Sequence, residues 1–355
     1  MEQEKDSLGM LDLMIHPGFC VNNGVITKVN KAAEGLLLAA GTNIQPLLLT
    51  GKEEYAAFTD GCLYLSLSVS GKPWGASVSR VGNAHVFVLE QESDFGELRS
   101  MALAARELRE PLTNIMVTAN RLFPLTSDDP ETKGQVARLN RGLYQMLRIL
   151  GNMSDAGRST SLSRMESRDV NSLFAEIFER AETLVAHAGI TLTYRGLDQA
   201  AVCPVDAEQL ERAIWNMISN AIKFTPEGGT IQVSLTRNGS MLYLQVRDNG
   251  SGIAENIKGS VFSRYLRYPA IEDNRYGIGL GMVLIRSAAA NHGGTVLIDS
   301  PKGSGTRVTM TINMNCDQGQ DTTLRSPILR VDYAGGRDHS LLELSDHLPP
   351  SLYEI

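Results

Sequence analysis

The sequence predicts a multidomain α+β protein, and three observations carry that expectation. The first ninety residues alternate short apolar runs with turn residues. From Leu98 to Met153 the apolar spacing changes to threes and fours, the period of a packed helix. From there to about residue 314, strand-like and helix-like runs interleave, which predicts a layered sheet-and-helix α/β sandwich. The expected divisions are 1–93 for an N-terminal α/β module, 94–160 for a helical hairpin, 161–315 for the sandwich, and 316–355 for a C-terminal extension.

In the first module, FCV and VITKV flank Asn22-Asn23-Gly24, a hairpin signal. NKAAEGLLLAAG predicts a short helix closed by Gly41. CLYLSLSV, WGASVSRV and HVFVLEQ then read as three strands. This order of strand pair, helices and antiparallel strands resembles a small PAS-type sensor module, although an α+β interaction domain without a ligand has the same pattern.

The hairpin is predicted from Leu98, Met101, Ala105, Leu108, Leu112, Ile115, Ala119 and Leu122, which recur as a heptad seam. PLTSDDPE turns the chain, with Asp129 as helix cap and Pro130 at the first helical position. Val136, Leu139, Leu143, Met146, Leu150 and Met153 repeat the seam. Two such helices carry more apolar surface than one hairpin covers. A homodimer closing a four-helix bundle is therefore expected.

GRSTSLSR (157–164) reads as a polar linker. Beyond it, IQVSLT and MLYLQVR flank a turn at Arg237 to Ser240, and GTVLID pairs with RVTMTI around Pro301 to Gly305. Helical stretches are expected at 170–187, 206–223 and 282–291.

The composition narrows the class. The 355-residue chain is 43% hydrophobic and 21% charged, with formal net charge −7. Its pI near 5.5 argues against a general nucleic-acid binder, which shows a basic face. Cys20, Cys62, Cys203 and Cys316 lie far apart with no zinc-like spacing, as expected of reduced thiols in the cytosol. The opening MEQEKDSLGM is unlike a signal peptide, and no apolar run reaches the roughly 18–20 residues of a membrane helix. A soluble, cytoplasmic protein is expected.

Four clusters carry chemistry. In NMISNAIKFTPEGG, Asn216, Asn220 and Lys223 share one helical face. An amide oxygen suits Mg²⁺ beside substrate phosphates, and a lysine supplies a point charge to them. A helix with buried, hydrogen-bonded amides explains the same residues. VRDNGSGI follows a strand and holds Asp248, Gly250 and Gly252. A carboxylate there can accept from an adenine amino group, but Asp-Asn-Gly is also ordinary turn chemistry. In YGIGLGMVLI, Gly277, Gly279 and Gly281, with Leu280, open a helix whose first N–H groups suit a phosphate. A dinucleotide fingerprint needs a strand before the glycines, and the polar RYPAIEDNRY stands there instead. GSGT (303–306) places Thr306 to bond a base or a nearby water.

In this order the clusters resemble the N, G1, G2 and G3 boxes of the Bergerat-type ATP-binding fold, shared by gyrase-like ATPases and sensor histidine kinases. VFSRYLRYP resembles the F box of the histidine-kinase ATP lid. The resemblance implies ATP and Mg²⁺ as cofactors. It assigns the metal to Asn220, with Asn216 and Lys223 on the phosphate side. It assigns adenine to Asp248, phosphates to the Gly277–Gly281 loop, and the lid to Phe262 and Arg267.

Residues 98–155 then resemble the family's dimerisation and phosphoacceptor hairpin. Its H box reads His-Glu-Leu-Arg-x-Pro-Leu. ARELREPL keeps Glu107, Leu108, Arg109, Pro111 and Leu112, but Arg106 stands at the acceptor position. Phosphoryl transfer needs a nucleophile with a free lone pair. A guanidinium stays protonated and only donates, so Arg106 cannot accept. It either holds a γ-phosphate electrostatically or sits solvated on the bundle face. Glu107, the family's general base, survives without a nucleophile to serve. Glu110 replaces the Thr or Asn that orients a water in the phosphatase reaction.

The leading expectation is a dimeric, histidine-kinase-like pseudokinase of two-component signalling that binds Mg-ATP. It would dock a response regulator or another kinase. The alternatives are a kinase phosphorylating an acceptor in trans and a Bergerat-type ATPase. The apolar residues of HSLLELSDHLPPSLYEI either fasten the tail to the domain or bind a partner, and Pro349-Pro350 favours an extended end.

Overall fold

The computed structural model describes residues 11, 14, 16–90, 96–122, 129–156, 165–253, 262, 280–301, 303–315 and 338–354. Strands β1 (Gly18–Asn22) and β2 (Val25–Val29) meet at Asn23 and Gly24, whose positive φ angles of 50° and 78° match the tight hairpin expected there. Helix α1 (Lys31–Glu34) is capped by Asn30, whose side chain accepts from the Ala33 N–H. It stops at Gly35, not at Gly41 as predicted, because Leu37 adopts φ 63° and breaks the repeat. After the short helix α2 (Lys52–Ala56) come β3 (Cys62–Val69), β4 (Lys72–Val81) and β5 (Ala84–Glu90). These pack a core of Phe19, Ile26, Ile44, Leu65 and Phe87, with the two phenylalanine rings stacked at 4.8 Å.

Helices α3 (Gly96–Leu122) and α4 (Pro130–Ala156) form the hairpin, and Asp129 caps α4 by accepting from the Thr132 N–H at 3.0 Å. The predicted seam divides in two. Ala105, Leu112, Leu143 and Leu150 are buried together, with Met116 and Leu147 from outside the seam. Leu108 (54% exposed), Ile115 (56%) and Met146 (53%) point away from that core. One stripe faces the neighbouring helix and the other faces outward.

Next come β6 (Glu166–Asp169), α5 (Val170–Ala186), β7 (Thr191–Arg195) and β8 (Val202–Val205). They are followed by α6 (Ala207–Phe224), β9 (Thr230–Asn238), β10 (Met241–Asp248), α7 (Gly281–Asn291), β11 (Val296–Asp299) and β12 (Arg307–Asn313). Phe174, Phe178, Ile214, Trp215, Ile218 and Ile285 pack the three helices onto the sheet. The sequence did not show β6, β7 and β8, which are short.

β3 also pairs antiparallel with β11, setting Tyr64 opposite Val296 and Cys62 opposite Ile298. Among the described residues this joins both sheets into one of ten strands, ordered β2-β1-β5-β4-β3-β11-β12-β10-β9-β7. Arg286 of α7, itself buried, reinforces the junction. It pairs with Glu90 at the end of β5 at 2.8 Å, and its guanidinium lies over the Tyr64 ring at 5.0 Å.

Helix α8 (His339–Glu343) and a 3₁₀ turn (Pro350–Tyr353) end the described chain. Pro349 is extended, as predicted, but Pro350 opens the turn instead of prolonging an extended end. Its fixed φ and missing N–H suit a first helical position.

Candidate functional site

The site is assembled around α6. Asp206 caps that helix by accepting from the Gln209 N–H at 3.0 Å. The Asp206 N–H in turn donates to His292 Nε2 at 3.0 Å, while His292 Nδ1 lies 2.6 Å from the Ala288 carbonyl. A backbone N–H only donates and a carbonyl only accepts, so the ring is neutral with its proton on Nδ1. Burial lowers its pKa in the same sense. His292 ties the end of α7 to the start of α6.

Along α6, Asn216 is buried and donates from Nδ2 to the Arg212 carbonyl at 2.9 Å. Its Oδ1 faces the first residue of α7, where a Cβ on Gly281 would lie only 2.8 Å away. A larger residue there would have to displace the Asn216 amide. Leu280, the N-cap of α7, offers no side-chain cap to the first N–H groups, and its own side chain packs with Ala156 and Val283. One turn beyond Asn216, Asn220 is half-exposed. Lys223 is also half-exposed, with Nζ 5.3 Å from the Phe224 ring centroid.

Asp248 ends β10 and is buried. Its Oδ1 accepts from the Gly250 N–H at 2.8 Å and the Thr306 N–H at 3.0 Å, and its own N–H donates to the Thr306 carbonyl at 2.9 Å. Burial raises the carboxyl pKa, and the two N–H donors oppose the rise. Two glycines let this knot close. A Cβ at Gly305 would sit 2.1 Å from the Asp248 carbonyl oxygen, and one at Gly250 would sit 2.2 Å from the Phe224 carbonyl oxygen. Gly252, at φ 72°, brings the loop to Ser300, whose Oγ accepts from the Ile253 N–H at 2.8 Å.

The structure therefore brings Asn216 against Gly281, and Asp248 and Gly250 against Thr306 and the end of α6. Thr306 contributes its main chain to Asp248. Phe262 is buried, its ring tilted at 48° to that of Tyr64 with the centroids 5.7 Å apart, and it accepts from Arg286 Nη1 through its carbonyl at 2.7 Å. Gly277, Gly279 and Arg267 lie outside the described residues.

On the hairpin, Arg106, Glu107 and Glu110 are exposed on α3. Arg109, one turn on from Arg106, is half-buried. Burial, with Arg212 and Arg106 nearby, lowers its pKa. The Arg109 and Arg212 guanidiniums both approach Gly151 of α4. The Arg109 side of α3 thus lies near Arg212 of the helix that carries Asn216.

Residues 205–315 match the family described as histidine kinase-, DNA gyrase B- and HSP90-like ATPase. The segment is a histidine-kinase-like ATPase domain. Its relatives support the histidine kinase family. The sensor-like histidine kinase SenX3 of Mycolicibacterium smegmatis is 28% identical over 223 residues, which are 60% of this chain and 56% of that protein. The sensor-like histidine kinase R01002 of Rhizobium meliloti is 28% identical over 280 residues, covering 73% and 52%. The chain thus spans little more than half of these relatives. Full-length ShkA, solved with AMPPNP, superposes with a TM-score of 0.49 at 22% identity, covering 60% of this chain and 45% of that one. In this chain, no helix among the described residues is long and apolar enough to cross a membrane.

Several side chains that organise the histidine-kinase-like domain escaped the sequence reading. Arg212 lies inside the apolar period of α6 and pairs with Asp155 and Glu343. Ser219 and His347 share a 2.9 Å hydrogen bond across 128 positions. The one available signal was an arginine among buried apolar neighbours, which demands a distant acid.

Proposed function

We propose that this chain is a two-component sensor-kinase relative that binds Mg-ATP on α6 and has lost self-phosphorylation. The state of Asp248 carries the reading. Both backbone donors bind Oδ1, so Oδ2 is left to accept from an amine such as adenine N6. That acceptor stands on a mostly buried carboxylate, where a bond to a donor is stronger than in water.

The other residues take roles around it. The first N–H groups of α7, at Leu280 and Gly281, face a phosphate, and Lys223 adds a cation near it. Gly277 and Gly279 would continue that loop, and Phe262 and Arg267 would belong to a lid over it. Asn220 would hold Mg²⁺ by its amide oxygen. Among the described residues no group of three or more His, Cys, Asp or Glu could hold a metal. One neutral oxygen suits Mg²⁺, which keeps several waters and takes most ligands from the phosphates. The metal, when bound, offsets phosphate charge.

Arg106 ends the resemblance to an active kinase. It presents no lone pair, so the γ-phosphate has no acceptor at that position, and Glu107 has no proton to take. The chain then acts as an ATP-gated docking platform, with a response regulator or a second kinase as partner. Leu108, Ile115, Leu139 and Met146 are exposed on the two hairpin helices, which supports a second copy closing a four-helix bundle. The strand order β2-β1-β5-β4-β3 supports a PAS-like sensor at the N-terminus. The half-exposed Asn220 and Lys223 also suit a kinase that transfers to an acceptor on another protein.

The test is γ-labelled ATP with the purified chain. No acid-labile phosphate is expected on the wild type. Arg106→His is expected to gain it, because Glu107 is still in place. Label on the wild type would overturn the reading.

A further inference from the structure

We infer that residues 338–354 are a strap, which fastens the hairpin to the ATPase domain and holds the two in one fixed setting. Neither the family match nor the nucleotide reading assigns this segment a role, and the inference does not rest on either.

The strap bonds in two directions. Toward the hairpin, α4 addresses its main chain with a row of donors. Asn140 Nδ2 donates to the Tyr353 carbonyl at 3.0 Å, and Arg141 donates to the carbonyls of Ser345 and Asp346, each at 2.9 Å. Gln145 donates to the Ser345 carbonyl at 3.3 Å, and Arg148 donates to that of Glu343 at 2.9 Å while pairing with Asp346. One of these carbonyls, that of Glu343, ends α8 and is left open by the helix itself. Leu342 joins the buried cluster that the hairpin helices form with Ala105, Leu112 and Leu147.

Toward the ATPase domain, Glu343 lies 3.5 Å from Arg212 Nε, an ionic contact longer than a hydrogen bond. His347 meets Ser219, the residue before Asn220, at 2.9 Å. Arg180 of α5 bonds Ser340 at 2.6 Å and pairs with Asp338, and His339 lies 3.3 Å from Glu211. Leu341, Leu344, Leu348 and Tyr353 are buried in the ATPase core.

Among the described residues, direct contact between α4 and the ATPase domain is confined to the C-terminal part of that helix, from Arg148, whose Nη1 donates to Ser219 Oγ at 3.4 Å, to its last residue. Asn152 and Asp155 meet Arg212, and Ala156 packs with Leu280 and Val283. The strap extends the attachment back over Asn140 to Arg148. Without it, α4 would be held only from Arg148 onward, and its N-terminal half would be free of the ATPase domain. The seam is also unusually polar for a buried one: Ser340, Glu343 and Ser345 are all under 3% exposed. Buried ionic contacts add less net attraction than apolar packing but reject misfitted geometry. Such a seam sets one alignment and can still be opened.

The test is hydrogen exchange on the full chain without nucleotide, comparing wild type with the variant N140A/R141A/R148A. In the wild type, amides of residues 339–353 are expected to be protected. In the variant they, and those of residues 140–148, are expected to exchange about tenfold faster or more. Strands β9 and β10 should be unchanged, which separates strap release from unfolding. If the triple variant does not fold, Arg141→Ala alone should give a several-fold increase. Unprotected residues 339–353 in the wild type, or equal exchange in a folded variant, would overturn the inference. Because no nucleotide is present, that outcome leaves ATP binding untouched.

Discussion

Asp248→Asn is expected to weaken ATP binding about 30- to 150-fold while leaving the fold intact. The asparagine oxygen continues to accept from Gly250 and Thr306, so the knot between β10 and the GSGT turn survives. Its amide nitrogen then stands where Oδ2 stood, and a donor meets the adenine amino donor. Leaving such a pair unsatisfied in a buried site costs roughly 2–3 kcal/mol. Titration calorimetry on both proteins measures the ratio, and thermal unfolding checks the fold. Equal affinities would remove Asp248 from the site.

Arg212→Met is expected to destabilise the chain by roughly 3–5 kcal/mol. Methionine keeps much of the apolar stem but removes the charge that Asp155 and Glu343 face. Glu343 is 1% exposed. Burial raises its carboxyl pKa, and Arg212 followed by Arg148 opposes that rise. Without Arg212 the acid must be buried neutral or swing out and open the strap. Chemical denaturation measures the loss. Adding Glu343→Gln should recover a large part of it, since the stranded charge is then gone. A loss below about 1 kcal/mol for Arg212→Met would show that the pair contributes little.

The elements with strong local signals were legible. Asn23-Gly24 fixed the first hairpin, Asp129-Pro130 the start of α4, and the alternation around Gly239 the β9–β10 pair. The candidate site was readable as a pattern because its residues lie in short runs: Asn216, Asn220 and Lys223 occupy two turns of one helix, and Asp248 precedes its glycines directly. What escaped depends on distant partners. Nothing near Cys62 announces that β3 pairs with β11, because an edge strand carries the same alternation whatever covers it. Arg286 and Glu90 are 196 positions apart and become a pair only once that edge is joined. The seam was half legible: its period marked the helices, but Leu108 and Ala105 have the same period and opposite fates. The tail's leucines announced burial, but not that Arg141 and Arg148 would hold its backbone.

The measurement closest to the central claim is titration of ATP into the full chain by calorimetry, first with Mg²⁺ and then with Mg²⁺ chelated. The account predicts one saturable site per chain, with affinity reduced when Mg²⁺ is removed. No saturable heat in either condition would contradict it, and would leave α6, Asp248 and the glycines as the frame of a site that holds no nucleotide.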